Sequence, residues 1–145
     1  MADKLEIYGV IASQPTRAVM WLCRLKNLPF KMVKMSPGWS RKKRKDFIEQ
    51  INPTGRIPAI RDVSGFILYE SAAILTYLCT KNKWDDLYPS HDLERRSLID
   101  QYMNWHHENI RKVTFGHIVY LMRADVDPKK WNVHSVRTER KLAGL

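Results

Sequence analysis

The sequence predicts an α/β domain in the order β-α-β-α-β-β-α, followed by a partial all-α segment. Three observations carry this. Short alternating or β-branched runs at residues 5–9, 30–35, 57–62 and 66–69 are separated by two helical stretches. Proline, glycine or asparagine marks most of the joints. Beyond residue 91 the strand pattern gives way to an apolar stripe at helical spacing.

Leu5-Glu6-Ile7-Tyr8-Gly9 alternates as the first strand. Ser13-Gln14-Pro15 then opens a helix, since proline in the first turn lacks an N–H that would have no partner there. Ala18, Leu22 and Leu25 recur at helical spacing with Val19 and Cys23 beside them, and Asn27-Leu28-Pro29 ends the run. Phe30 to Met35 is a second strand, broken by Ser36-Pro37-Gly38, and a basic helix is expected from about Ser40 to Gln50. Ile57 to Asp62 and Phe66 to Tyr69 form a hairpin around Ser64-Gly65. Ser71 is placed to cap a helix running to about Thr80. A parallel βαβ half, an antiparallel hairpin and a closing helix make a thioredoxin-like domain over 1–82.

Residues 83–91 read as a linker, and 92–145 as a partial helical domain with one long helix over about 92–123 and an irregular tail. Ile99, Met103, His106, Ile110, Val113, His117 and Leu121 form its stripe.

Bulk properties narrow the function classes. The chain has 145 residues, 44% apolar and 28% charged, which is a globular composition. The formal charge is +10, and residues 1–80 hold 13 Lys/Arg against 6 Asp/Glu, a field that favours anionic ligands. Arg41-Lys42-Lys43-Arg44-Lys45 is its densest run, read as a solvated helix face, an anion-binding rim or a localisation patch. No zinc-ligand set, RNA-recognition motif or helix-turn-helix pattern accompanies it, so nucleic acid is not the expected partner. The two cysteines, Cys23 and Cys79, form no C-x-x-C, which excludes a dithiol active site. Met1-Ala2-Asp3-Lys4 lacks a signal peptide's apolar region, and no run of about 18 apolar residues exists, so a cytoplasmic protein without a membrane span is expected.

Three segments bear on chemistry. Ser13 sits where a strand hands over to a helix N-terminus, a position that favours negative charge. Its hydroxyl could donate to a thiolate or simply cap the helix. Ile57-Pro58 in a tight turn is a candidate cis bond or the start of an edge strand. Glu70-Ser71 opens a helix with an acid and a hydroxyl side by side, suited to an ammonium and a carboxylate or to an ordinary cap.

Ser13-Gln14-Pro15-Thr16-Arg17, Asn52-Pro53-Thr54-Gly55-Arg56-Ile57-Pro58-Ala59 and Glu70-Ser71-Ala72-Ala73-Ile74, in this order and spacing, resemble the glutathione-binding domain of theta-class glutathione transferases. The resemblance implies that Ser13 stabilises the thiolate of glutathione. Tyr8 is the alternative donor, since other transferase classes use a first-strand tyrosine, but the Ser-Gln-Pro-x-Arg wording favours Ser13. It further implies that Ile57, before a cis Pro58, pairs with the cysteinyl unit, that Arg56 is also a glutathione-binding residue, and that Glu70 and Ser71 hold the γ-glutamyl end. Lys42 and Lys43 would meet the glycyl carboxylate, where the family often has histidine. Asn104-Trp105-His106-His107-Glu108-Asn109-Ile110-Arg111 resembles the family's Trp-x-His-x-x-x-[Leu/Ile]-Arg stretch, which adds Glu108 and Arg111 to the glutathione-binding residues. His107-Glu108 lacks the second histidine of a zinc-protease motif, so no metal is expected.

The implied function is a glutathione S-transferase with glutathione as co-substrate, no other cofactor, a small electrophile as second substrate, and a homodimeric, detoxifying role. A non-catalytic transferase-like binding or assembly module is the alternative. The resemblance ends near residue 122, short of the several helices of a complete family member, so weakened catalysis is expected.

Overall fold

The computed structural model describes residues 3–35 and 40–111. They fall in two compact units, Met1–Ser90 and His91–Leu145. The first unit contains β1 (Leu5–Gly9), α1 (Gln14–Leu25), β2 (Phe30–Lys34), α2 (Arg41–Gln50), β3 (Ala59–Arg61), β4 (Ile67–Tyr69) and α3 (Ser71–Lys81). The strands form one sheet in the order β2-β1-β3-β4, with β1 parallel to β2 and antiparallel to β3, and β3 antiparallel to β4. This is the expected thioredoxin-like arrangement.

Period-two alternation assigns each face of the sheet. Tyr8 and Ala59 are register partners and pack with Phe47 of α2 and with Ile51 at its end. Their neighbours Ile7 and Ile60, also partners, therefore point to the opposite face, where α1 and α3 pack on the strands and on each other. Ile7, Ile60, Val19, Cys23, Ile74 and Leu78 are almost fully buried and make that layer the main core.

One residue of the helical recurrence in α1 stays out of this core. Leu25 is 59% exposed, whereas Thr16, Val19, Met20, Leu22 and Cys23 are buried. Leu25 lies six residues past Val19, about 120° around the helix from the inward face.

Helices α1 and α3 end in the same way. Leu28 N–H donates to Cys23 C=O (2.8 Å) and Trp84 N–H to Cys79 C=O (2.9 Å). Asn27 and Lys83 take the positive φ that each ending requires, 51° and 55°. The stretch from 83 onward is a series of turns, and its Tyr88 is buried. Lys26 Nζ reaches Asp86 at 2.6 Å and lies over the Trp84 ring, holding this stretch to the end of α1.

In the second unit α4 spans Leu93–Glu108 and starts at Asp92, whose side chain accepts from Arg95 N–H (2.9 Å). Asn109 interrupts it as a turn, and Ile110 and Arg111 are helical again. The expected stripe positions Ile99, Met103, His106 and Ile110 are half-buried, while Leu98, Tyr102 and Trp105 are exposed. Val113, His117, Leu121 and the expected tail lie outside the described residues. No helix among the described residues is long and apolar enough to cross a membrane.

Candidate functional site

The β1–α1 junction is built on a close approach. A Cβ on Gly9 would lie 2.5 Å from Thr16 Cγ2, so glycine there lets Thr16, itself fully buried, seat under the turn. The chain then folds back through a hydrogen bond from Ser13 N–H to Val10 C=O (3.0 Å). Ser13 is the N-cap of α1, with φ −76° and ψ 117°, and its Oγ accepts from Thr16 N–H at 3.4 Å. Pro15 stands in the first turn, which carries no acid, so the positive end of the helix is not internally neutralised. Capping and thiolate stabilisation are compatible. A hydroxyl that accepts through a lone pair still has its own proton to donate, and no acceptor among the described residues takes it.

Tyr8 faces the other way, toward α2. Its hydroxyl donates to Glu6 Oε2 at 2.8 Å. Burial, and then this bond to Glu6, push its pKa up to about 12. A phenol so committed is a poor donor to a thiolate elsewhere. Glu6 is also held by Lys31 (3.1 Å) and by Arg61 (3.7 Å).

The turn before β3 is organised by Asn52, which is almost fully buried. Its Nδ2 donates to Arg56 C=O (2.8 Å), while its Oδ1 accepts from Thr54 N–H (3.0 Å) and Thr54 Oγ1 (2.9 Å). Gly55 turns with φ 66° and donates to Asn52 C=O. The turn leads into the Ile57-Pro58 bond, which is cis. Among the described residues nothing pairs with the Ile57 N–H or C=O. Arg56 is exposed.

At the start of α3 the expected cap moves by one residue. Glu70, not Ser71, is the N-cap, because its C=O already accepts from Ile74 N–H (2.9 Å) while its own backbone is non-helical. Glu70 has φ 71° and ψ 115°, a conformation that costs a non-glycine residue of order 1–3 kcal/mol. Its side chain makes no cap bond. Ser71 is the first helical residue, and the first-turn N–H groups stand open.

The helix is anchored from its other half. Asp62 is buried and accepts from Tyr77 Oη (2.5 Å), Lys81 Nζ and its neighbour's Val63 N–H. Burial alone would raise the Asp62 pKa, but these bonds outweigh it and hold the carboxyl below its ordinary value. Tyr77 is driven the other way, to about 12, by burial and the bond to Asp62.

Lys42 and Lys43 lie on exposed turns of α2. Lys42 Nζ pairs with Asp46 (3.4 Å). Lys43 lines a shallow cleft of about 190 Å³ with Tyr8, Asp46, Phe47, Gln50, Ile51 and Arg61. Glu108 and Arg111 belong to the second unit, where Arg111 Nη1 lies 3.1 Å from His107 Nδ1. No group of three or more His, Cys, Asp or Glu among the described residues could hold a metal ion.

Residues 12–81 match the family model described as glutathione S-transferase, N-terminal domain. The chain is 38% identical to rat glutathione S-transferase theta-1 over 110 residues, 74% of this chain and 44% of the relative. It is 39% identical to human glutathione S-transferase theta-2 over 113 residues, 77% of this chain and 45% of the relative. A human theta-class glutathione transferase, solved in complex with the glutathione conjugate of 1-menaphthyl sulfate, superposes with a TM-score of 0.77 at 32% identity. That match covers 98% of this chain and 59% of the other. These matches support a theta-class glutathione S-transferase.

The chain spans less than half the length of those two curated relatives. Within this theta-class domain, two residues that sequence reasoning quoted without a role prove to be organisers. Asn52 shapes the turn that carries Ile57-Pro58. Arg17 donates from Nη1 to the C=O groups of Ile11 (2.9 Å) and Ala12 (3.0 Å), directly before Ser13. An asparagine ahead of a Pro-x-Gly turn is a recognisable signal of the first. No local pattern signals the second, because it depends on the chain folding back over five and six positions.

Proposed function

We propose that this chain binds glutathione through its first unit and activates the thiol for attack on a small electrophile. Ser13 donates a hydrogen bond from its free O–H to the thiolate, assisted by the positive end of α1, whose first turn carries no acid. Taking a thiol reference pKa of about 8.5, a shift to roughly 6.5 requires about 2.7 kcal/mol. A hydrogen bond to a charged group supplies about 1.5–3 kcal/mol, so one hydroxyl and a helix end suffice. The cysteinyl backbone pairs with Ile57 beside the cis Pro58, as an added strand would. The γ-glutamyl carboxylate takes the N–H groups at the start of α3 with Ser71, and Glu70 meets the ammonium. Lys42 and Lys43 supply positive charge for the glycyl end, and Arg56, next to Ile57, is a further glutathione-binding residue of this unit.

The observation that carries this reading is the open amino end of α3, where a helix begins without a side-chain cap behind a strained Glu70. Such an end is an anion site in waiting. The thiolate then attacks an electrophilic carbon such as a halide, sulfate ester or epoxide, expelling the leaving group or opening the ring. Orientation and an activated nucleophile are what the protein contributes. A cytoplasmic homodimer with a detoxifying role accords with this chemistry, and a domain division at 1–82, 83–91 and 92–145 with the sequence.

Titrating glutathione into the purified chain while recording thiolate ultraviolet absorbance tests the proposal. Saturable binding with thiolate present at neutral pH is expected, together with retention on a glutathione resin. Binding without ionisation would leave a non-catalytic module, and no binding would end the glutathione reading.

A further inference from the structure

We propose that Arg17 is the positioning residue for the Ser13 hydroxyl. The inference rests on the reading of Ser13 as the thiolate's hydrogen-bond donor.

Arg17 brackets Ser13 from both sides. Its backbone N–H donates to Ser13 C=O (3.0 Å), and its side chain returns along the chain to the C=O groups of Ile11 and Ala12. One nitrogen, Nη1, bridges both carbonyls. The loop it ties is otherwise poorly fixed: Ile11 and Ala12 are exposed and outside regular structure, and among the described residues the turn's one other backbone bond runs from Ser13 N–H to Val10 C=O. Ser13's own side-chain bond, at 3.4 Å, is too long to set its hydroxyl precisely. Left free, residues 10–13 would sample several backbone wells, each aiming Oγ differently. A displacement of the order of 1 Å at a reacting group is costly to catalysis. Arg17 makes no ion pair with a described residue, so the two carbonyls are the partners of its charged head.

The test is a double-mutant cycle between Arg17→Met and Ser13→Ala, read as the pKa of glutathione's thiol bound to the full chain. If Arg17 acts through Ser13, Arg17→Met raises that pKa by about half a unit or more in the wild-type background. It then adds nothing when Ser13 is already alanine. Arg17→Lys, which keeps a cationic donor nitrogen, restores most of the difference. An equal rise in both backgrounds would mean that the guanidinium stabilises the thiolate directly by charge, and would overturn the proposal. So would an unchanged thiol pKa in a folded Arg17→Met variant. If Ser13→Ala alone leaves the pKa unmoved, the functional reading fails, a result distinct from a silent Arg17. Failure of the wild-type chain to bind glutathione overturns both. Should Arg17→Met not fold, Arg17→Gln enters the same cycle with the same expected outcome.

Discussion

The amino ends of α1 and α3 lie in one small unit and are built on opposite principles. At α1, Ser13 caps Thr16 N–H, Gly9 admits the Thr16 side chain, and Arg17 ties down the loop. Helices α2 and α4 begin in the same side-chain-capped way, at Ser40 and Asp92. At α3 the cap residue has a strained backbone and an idle side chain. An end already satisfied from within can present one precisely aimed atom. An end left unsatisfied can receive a whole charged group. The proposed glutathione chemistry asks for both, a donor aimed at sulfur and a cradle for an amino-acid terminus.

The contrast holds only if α3 is secured elsewhere, and Asp62 is where. Asp62→Asn removes the charge from a buried acceptor bonded to Tyr77 and Lys81 and should destabilise the fold by about 2–3 kcal/mol. The pH dependence follows from its direction of shift. The folded carboxyl titrates below its unfolded value, so its stabilisation is complete above the unfolded pKa and disappears as pH falls through the folded one. Acid melts of Asp62→Asn should therefore be flatter than wild type in that range. An identical acid limb would mean that α3 is held by packing alone.

Gly9→Ala addresses the other end. The new methyl meets a buried, β-branched Thr16, which has little room to turn away. A loss of about 2 kcal/mol in chemical denaturation is expected, with recovery of part of it in Gly9→Ala/Thr16→Ala. Full stability in the single variant would show a junction looser than its geometry.

Much of this was legible beforehand. The element order and sheet topology follow from alternation and from the positions of proline and glycine, which act locally. Ser40 and Asp92 announce their helices by residue type. What escaped was decided by geometry across the chain. Leu25 obeyed the spacing of its neighbours yet faces outward, because the inward arc of α1 is set by where the sheet lies. Ser71 satisfies every compositional rule for a cap, and only the backbone of Glu70 moves the boundary. Tyr8 stood open as a rival to Ser13 until its bond to Glu6 appeared, although the alternation of β1 already set both on one face. The Asn52 network was written in an Asn-Pro-Thr-Gly turn, but that it shapes the approach to Ile57 was not.

Ser13→Ala separates aim from capping at α1. The bound thiol's pKa should rise by about one unit, about 1.4 kcal/mol. The long 3.4 Å cap bond predicts a stability loss of only about 0.5 kcal/mol, at the low end for N-caps. A large stability loss with no change in thiol pKa would make Ser13 an ordinary cap and collapse the distinction between the two ends.

The smallest expected effect has the most telling sign. Glu70 holds φ 71° without a glycine, and its side chain gives the fold no cap bond in return. Glycine adopts that backbone freely, so Glu70→Gly should stabilise the protein by up to about 1 kcal/mol despite removing a side chain. The loss of a more flexible unfolded chain on folding reduces the gain. If the acid is kept for a ligand's ammonium, the same variant should bind glutathione more weakly by about 1 kcal/mol. Thermal melting and calorimetric titration on one preparation give both numbers. Opposite signs would mark Glu70 as a residue retained for binding against the interest of the fold. Equal losses in stability and affinity would make its conformation part of the scaffold, and α3 would then begin like the other helices, only less visibly.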